Sequence, residues 1–349
     1  YQALTSQTGT TGTVGNTAVG YLAAKSITKG RWNTAVGYNT LFTEDVGDFS
    51  TAVGHGALYA QNSDSDNEET GNTGLGYGAG FYNVTGTNNT YLGFQAGLGA
   101  SGQSNSDNTA VGKNALLAIT TGDENVAIGS EAGNDITTGI ENVLVGSGAG
   151  DKITTANECV FIGTNAGDAV TVTNSTTSDG TVGIGASALS SLSSGAGNTV
   201  VGYAAADALT IGNYNTAFGN GALGGSVDGD FNTAIGYQSL ISYEGADGEG
   251  NNTAVGYLAG QFLTTGERNT FVGSGAGTGI TGTRLTGDDN TTVGKAAGLL
   301  LQGAAHSNTL IGSNSGDGMT TANSNVMVGY AAGLNVTTGG NNVVVGATA

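Results

Sequence analysis

The feature that most constrains this chain is a five-residue phrase that returns in register from one end to the other. "NTAVG" closes at Gly20 and again at Gly37, "STAVG" at Gly54, "NVAIG" at Gly129 and "NTAFG" at Gly219. Nineteen such copies run from Gly20 to Gly346; 12 of the 18 spacings are 17 residues, and the other six run from 18 to 22. A floor with occasional additions is the signature of a fixed structural coil that tolerates loops at its corners.

Each position of the phrase carries its own rule. Position one is Asn in 16 copies, among them Asn16, Asn33, Asn72, Asn89, Asn108, Asn125 and Asn142; the exceptions are Ser50, Cys159 and Thr181. Position two is Thr in 13 copies and Val in the other six, two nearly isosteric β-branched residues that favour an extended backbone. Position four is always a larger apolar residue, such as Val19, Leu75, Ile128 or Phe218. This spells a short strand, with positions two and four on one face and position three on the other. One strand per repeat cannot pair with itself, so successive copies must stack in parallel, like residue over like residue, about 4.8 Å apart. The asparagines then form a ladder of amides. Gly20, Gly37, Gly54 and their equivalents mark a corner where φ is positive or a neighbouring backbone leaves no room for Cβ. The chain holds no proline, which would remove a donor from such a ladder. The expected fold is all-β: a parallel β-solenoid, or β-roll, of about 19 coils with a 17-residue basic repeat. It is expected to form one continuous array over residues 1–349, extending about 90 Å. Both ends fall just past the same phase of a coil, which is the expectation for a section of a longer fibre.

Position three reads Ala18, Ala35, Ala52, Gly74, Tyr91, then Leu144, Phe161, Phe271, Leu310 and Met327, with Thr292 its most polar member. Taken as the outward face, this stripe is too apolar for water. Two covers are open to it: identical chains around a threefold axis, the expected arrangement, or the opposite wall of the same solenoid.

Composition excludes several functions. Eight Lys+Arg against 27 Asp+Glu leave a net charge of −19, which argues against nucleic acid and against anionic lipid. The 65 glycines lack the collagen period, and 38% hydrophobic residues argue against a disordered linker. One cysteine, Cys159, gives no intrachain disulfide, and no apolar run reaches the ~18 residues a membrane span needs.

"NTAVGYLA", "ENVAIGSEAG" (Glu124–Gly133) and the closing "NVVVGATA" resemble the YadA-like head repeats of trimeric autotransporter adhesins, and related repeats of bacteriophage tail-fibre shafts. The resemblance covers essentially the whole chain. It implies a trimeric parallel β-roll with an extracellular, adhesive or virion-appendage role. The period departs from it, since the head repeat is nearer fourteen residues.

Chemistry-bearing clusters are sparse, and the chain reads as non-enzymatic. His55 and His306 fall in distant copies, and Cys159 occupies a ladder position. The insertion "QNSDSDNEETG" (Gln61–Gly71) places Asp64, Asp66, Glu68 and Glu69 close enough in sequence to be a candidate Ca²⁺ site, without the EF-hand spacing. No other cofactor is implied. Tyrosines after the motif glycine (Tyr21, Tyr38, Tyr77, Tyr203, Tyr237, Tyr257, Tyr330) are a candidate stripe for glycans, and sequons occur at Asn83, Asn88, Asn174, Asn251, Asn290 and Asn335. The expected partners are copies of the chain itself, as a homotrimer or an end-to-end fibre, and a cell-surface or glycan receptor. A rank of Thr at position two also raises ice binding. Its apolar same-face neighbours suit an inner wall better.

Overall fold

The computed structural model describes residues 2–8, 14–170, 179–245 and 248–349. It is all-β and parallel, and every regular element is a three-residue strand at positions two to four of the phrase. The chain divides into two compact units, Tyr1–Asp179 and Gly180–Ala349. The first holds nine strands, from β1 (Thr17–Val19) to β9 (Val160–Ile162), and the second ten, from β10 (Val182–Ile184) to β19 (Val343–Val345). The parallel β-solenoid of about 19 coils is therefore the observed fold.

Like residues stack without slippage: Thr17 on Thr34, Ala18 on Ala35, Val19 on Val36. The register survives insertions, with Thr51 on Thr73 and Phe271 on Thr292. Extra residues therefore leave the coil at its corners, where they disturb no ladder bond.

The motif glycine answers to both constraints at once. Gly37 has φ of 136°, and a Cβ built on it would stand 2.0 Å from the carbonyl oxygen of Gly54 in the next coil. Non-glycine residues also adopt left-handed backbone at three corners per coil, as in Asp107, Asn114 and Leu116, all with φ between 51° and 58°. Such residues cost about 1 kcal/mol each, and only the stacking of neighbouring coils holds them there.

The position-three rank faces inward, which corrects its assignment as the outer face. Ala35, Ala52, Leu144, Phe161, Phe271, Leu310 and Met327 are all 0% exposed, packed inside the chain's own coil. The cover is the solenoid's own opposite wall. Positions two and four instead face out, with Val19 59% and Phe218 58% exposed.

Volume in this core is matched across six residues. In five of the eight copies where position three is Ala, the residue six later is Leu, as in Ala52 with Leu58, Ala110 with Leu116 and Ala234 with Leu240. Where position three is Tyr91, Phe161 or Phe271, that partner is Gly97, Gly167 or Gly277; a Cβ there would lie within 2.2–2.6 Å of the ring. Where both are small, as at Gly74 and Gly80, Leu58 and Tyr91 of the flanking coils close the gap. Close packing, not a fixed residue, is what the site conserves from coil to coil.

Candidate functional site

The asparagine ladder is buried and works in two directions. Asn125 Oδ1 accepts the backbone N–H of Asn142 at 3.1 Å, while its Nδ2 donates to Gly139 O at 2.8 Å on the opposite side of the corner. The same pair of bonds recurs at Asn16, Asn33, Asn72, Asn89, Asn108 and Asn142. Each side chain thus fastens the coil beneath it and closes its own turn. Cys159 takes the ladder's incoming bond through its backbone N–H, at 3.0 Å from Asn142 Oδ1, and is itself buried.

The outward wall carries the positions two and four ranks, bordered by aromatic columns. In the first unit Tyr21, Tyr38, His55, Tyr77 and Phe94 stack in sequence at centroid distances of 4.9–5.4 Å, all within 18° of parallel. On the other border Trp32 stacks on Phe49 at 4.9 Å. In the second unit Tyr214 stacks on Phe231 and Tyr237 on Tyr257, each at 5.5 Å. Rings stacked this way cover one another's faces. Where it is stacked, the tyrosine stripe therefore offers edges, not platforms, to a sugar; Tyr203 and Tyr330, 62% and 61% exposed, stand outside the stacked columns. His55 belongs to the stacked column of the first unit.

The insertion Gln61–Gly71 is anchored by groups that sequence reading passed over. Seven residues after the motif glycine, most coils place an aliphatic core residue such as Ile27, Ile119, Ile136 or Leu209; the second to fourth coils place Glu44, Gln61 and Asn83. Glu44 is fully buried. Its Oε1 accepts the backbone N–H groups of Asp45, Val46 and Gly47 at 3.0, 3.1 and 2.7 Å, and its Oε2 accepts from Gln61 Nε2 and Ser63 Oγ. Gln61 also bonds Ser50, one of the three exceptions in the ladder, which in turn meets Thr70 at 2.7 Å. A polar knot therefore replaces the aliphatic rank where the longest described loop departs. The signal was in the sequence: Glu, Gln and Asn in three successive coils at a phase that is mostly Ile, Leu or Val.

The candidate Ca²⁺ ligands do not converge. Asp66 is paired with Lys29 at 2.6 Å, and Glu68 accepts the backbone N–H of Asp64 at 3.1 Å. Among the described residues no group of three or more His, Cys, Asp or Glu is arranged to hold a metal ion. Among the sequons, Asn83 and Asn290 are buried and hydrogen-bonded in the coil, so neither side chain is open to modification in the folded chain. Asn88, Asn251 and Asn335 are exposed, and Asn174 lies outside the described residues.

Burial perturbs a few titrating groups. Tyr91 is held far above the ordinary phenol range, chiefly by desolvation, with its hydroxyl donating to Asn105 Oδ1. Asp168 and Asp207 are raised above the usual carboxylate value, again first by desolvation.

No family model matches the sequence, and no curated protein matches it. Among the described residues, no helix is long and apolar enough to cross a membrane.

Proposed function

We propose that this chain is a non-enzymatic structural and adhesive segment of an extracellular fibre, a β-solenoid shaft whose side loops meet other surfaces. The observation that supports this reading most directly is the unbroken residue-on-residue register through each unit, with polar, acidic insertions confined to corners. A ladder that repeats one bonding scheme at every coil sets up stiffness and length, and leaves the loops free to vary.

Self-association is part of the proposal, and the outward wall is its surface. Val and Thr at position two, Val, Ile and Leu at position four, and the bordering ring columns form a broad apolar stripe. Such a stripe on a lone chain would invite association. A trimer packed through this wall is in keeping with the resemblance to YadA-like heads. A cell-surface fibre and a virion tail fibre are served equally by the same shaft. Electron microscopy of the purified chain, with its mass in solution, tests this: slender particles at three times the chain mass are expected, and compact monomers would overturn it.

One observation favours a second reading, ice binding. The threonines of position two face outward, not inward, in runs of six (Thr17 to Thr109) and seven (Thr199 to Thr309) interrupted by no charge. A thermal-hysteresis assay decides it; no shaping of ice crystals by the folded chain would remove this reading.

A further inference from the structure

Two surface cavities lie at the same phase of the coil, one in each unit. The first, about 170 Å³, is lined by Tyr77, Gly78, Phe81, Tyr82, Gln95 and Leu98. The second, about 350 Å³, includes Asp207, Asn220, Gly221, Gln238 and Ile241. Each forms where the second residue after the motif glycine is Gly in one coil and Gln in the next: Gly78 precedes Gln95, and Gly221 precedes Gln238. No other pair of successive copies makes that step.

The first cavity has the more distinctive lining. It opens between two ring columns. On one side Tyr77 is sandwiched between His55 and Phe94 at 5.0 and 5.2 Å. On the other, Phe42, Tyr59 and Phe81 stack at 5.2 and 4.6 Å, and there the column stops, because the next residue at that phase is Leu98. Phe81 therefore lacks a stacked ring on its Leu98 side, while Tyr82 stands edge-on to it at 4.7 Å and 72°. Gly78 keeps the space open: a Cβ there would come 3.5 Å from Leu98 Cδ1 and 3.7 Å from Gln95 Cγ. The Gln95 amide and the Tyr82 hydroxyl make no side-chain hydrogen bond among the described residues, and no charged side chain lines the cavity.

That combination selects a ligand. Aromatic surface beside an uncommitted amide and phenol suits a molecule with one apolar C–H face and several hydroxyls. The neutral lining offers nothing to an ion, and a chain of net charge −19 repels anions. The volume is well below the ~300 Å³ at which drug-sized sites begin. We propose that Gly78–Gln95 is a subsite for one ring of a neutral glycan. This deepens the adhesive reading, on which it rests, by naming what the fibre touches.

The test is saturation-transfer NMR and calorimetric titration of the full chain with methyl glycosides: neutral hexoses, N-acetylhexosamines, a glucuronide and a sialoside. At least one neutral glycoside is expected to bind saturably. Gly78→Leu should remove the site, and Gly221→Leu, in the other cavity, should leave it. Leucine already occupies this left-handed corner at Leu22 and Leu258, with φ of 57° and 55°, so the fold accepts it there. Tyr82→Ala and Gln95→Ala should weaken binding at the site about tenfold and about fivefold; they decide the matter should Gly78→Leu lose its β-sheet circular dichroism. Binding that ignores Gly78→Leu, Tyr82→Ala and Gln95→Ala, a preference for the acidic sugars, or no saturable binding would each overturn the proposal. Slender particles without sugar binding would leave the fibre standing and sink the subsite; sugar binding by compact monomers would do the reverse.

Discussion

Replacing Asn125 by Ala tests whether the amide ladder holds the coils together. Asn125 Oδ1 accepts from Asn142 N at 3.1 Å and from Asn142 Nδ2 at 2.9 Å; its Nδ2 donates to Gly139 O at 2.8 Å, Asn108 Oδ1 at 3.1 Å and Asp123 O at 3.1 Å. Some of these partners keep another bond. Asn108 Oδ1 still accepts the backbone N–H of residue 125, Asn142 Nδ2 still donates to Ala156 O, and Asp123 O still accepts from Glu141 N. Two buried groups lose their ladder partner, Asn142 N–H and Gly139 C=O. At about 1–3 kcal/mol for each unsatisfied group, the first unit should lose about 2–6 kcal/mol. Urea unfolding measures the total, and hydrogen exchange across residues 139–142 locates it, with the Asn142 amide losing protection first. A loss below about 1 kcal/mol with that amide still protected would refute the ladder's role.

Other substitutions probe the core and its charges. Thr292 sits in the inward rank with its Oγ1 buried and unpartnered among the described residues, so Thr292→Val should stabilise the second unit by about 1–2 kcal/mol in thermal or urea unfolding. Phe161→Ala should cost about 3–5 kcal/mol by leaving a cavity. Adding Gly167→Leu should recover most of that loss, because it recreates the Ala110–Leu116 arrangement; a double-mutant cycle without positive coupling would contradict the volume rule. Glu44→Ala strips the backbone N–H groups of Asp45, Val46 and Gly47 of their acceptor, and limited proteolysis within residues 61–71 should accelerate at least tenfold, a shift that ~1.4 kcal/mol of local stability supplies. Asp207 is raised by burial, so its protonated form favours the fold: the stability it contributes is present at pH below the ordinary carboxylate value of about 3.9 and fades as pH climbs through its higher folded value. Asp207→Asn should therefore stabilise the second unit at neutral pH and make little difference at acidic pH.

Much of the fold was legible because the repeat exposes its own register. A motif recurring 19 times at a minimum spacing leaves parallel stacking as the arrangement that places every Asn over another and every corner glycine against the next backbone. The ladder residues and the need for glycine at Gly20, Gly37 and Gly54 follow from that alone. The direction of the strand did not. A period of two separates the faces without saying which is inside, and here both are apolar: Ala, Leu and Phe at position three, Thr, Val and Ile at two and four. Sequence reasoning chose the wrong face. Pairing position three with the residue six later, Ala52 with Leu58 against Phe161 with Gly167, would have marked position three as the face that shares a packed interior.

What the amino-acid order determined by itself is periodic: strand, rung and corner, each set by a residue type recurring at a fixed phase. What only the tertiary structure decided lies where coils meet. Stacked rings cover one another's faces, Glu44 and Gln61 find partners a coil away, and Asn83 and Asn290 turn into the interior while Asn88 and Asn251 stay in water. Those outcomes depend on which atoms lie across the gap between neighbouring coils, and residues 17 to 22 positions apart become neighbours only once the chain has wound.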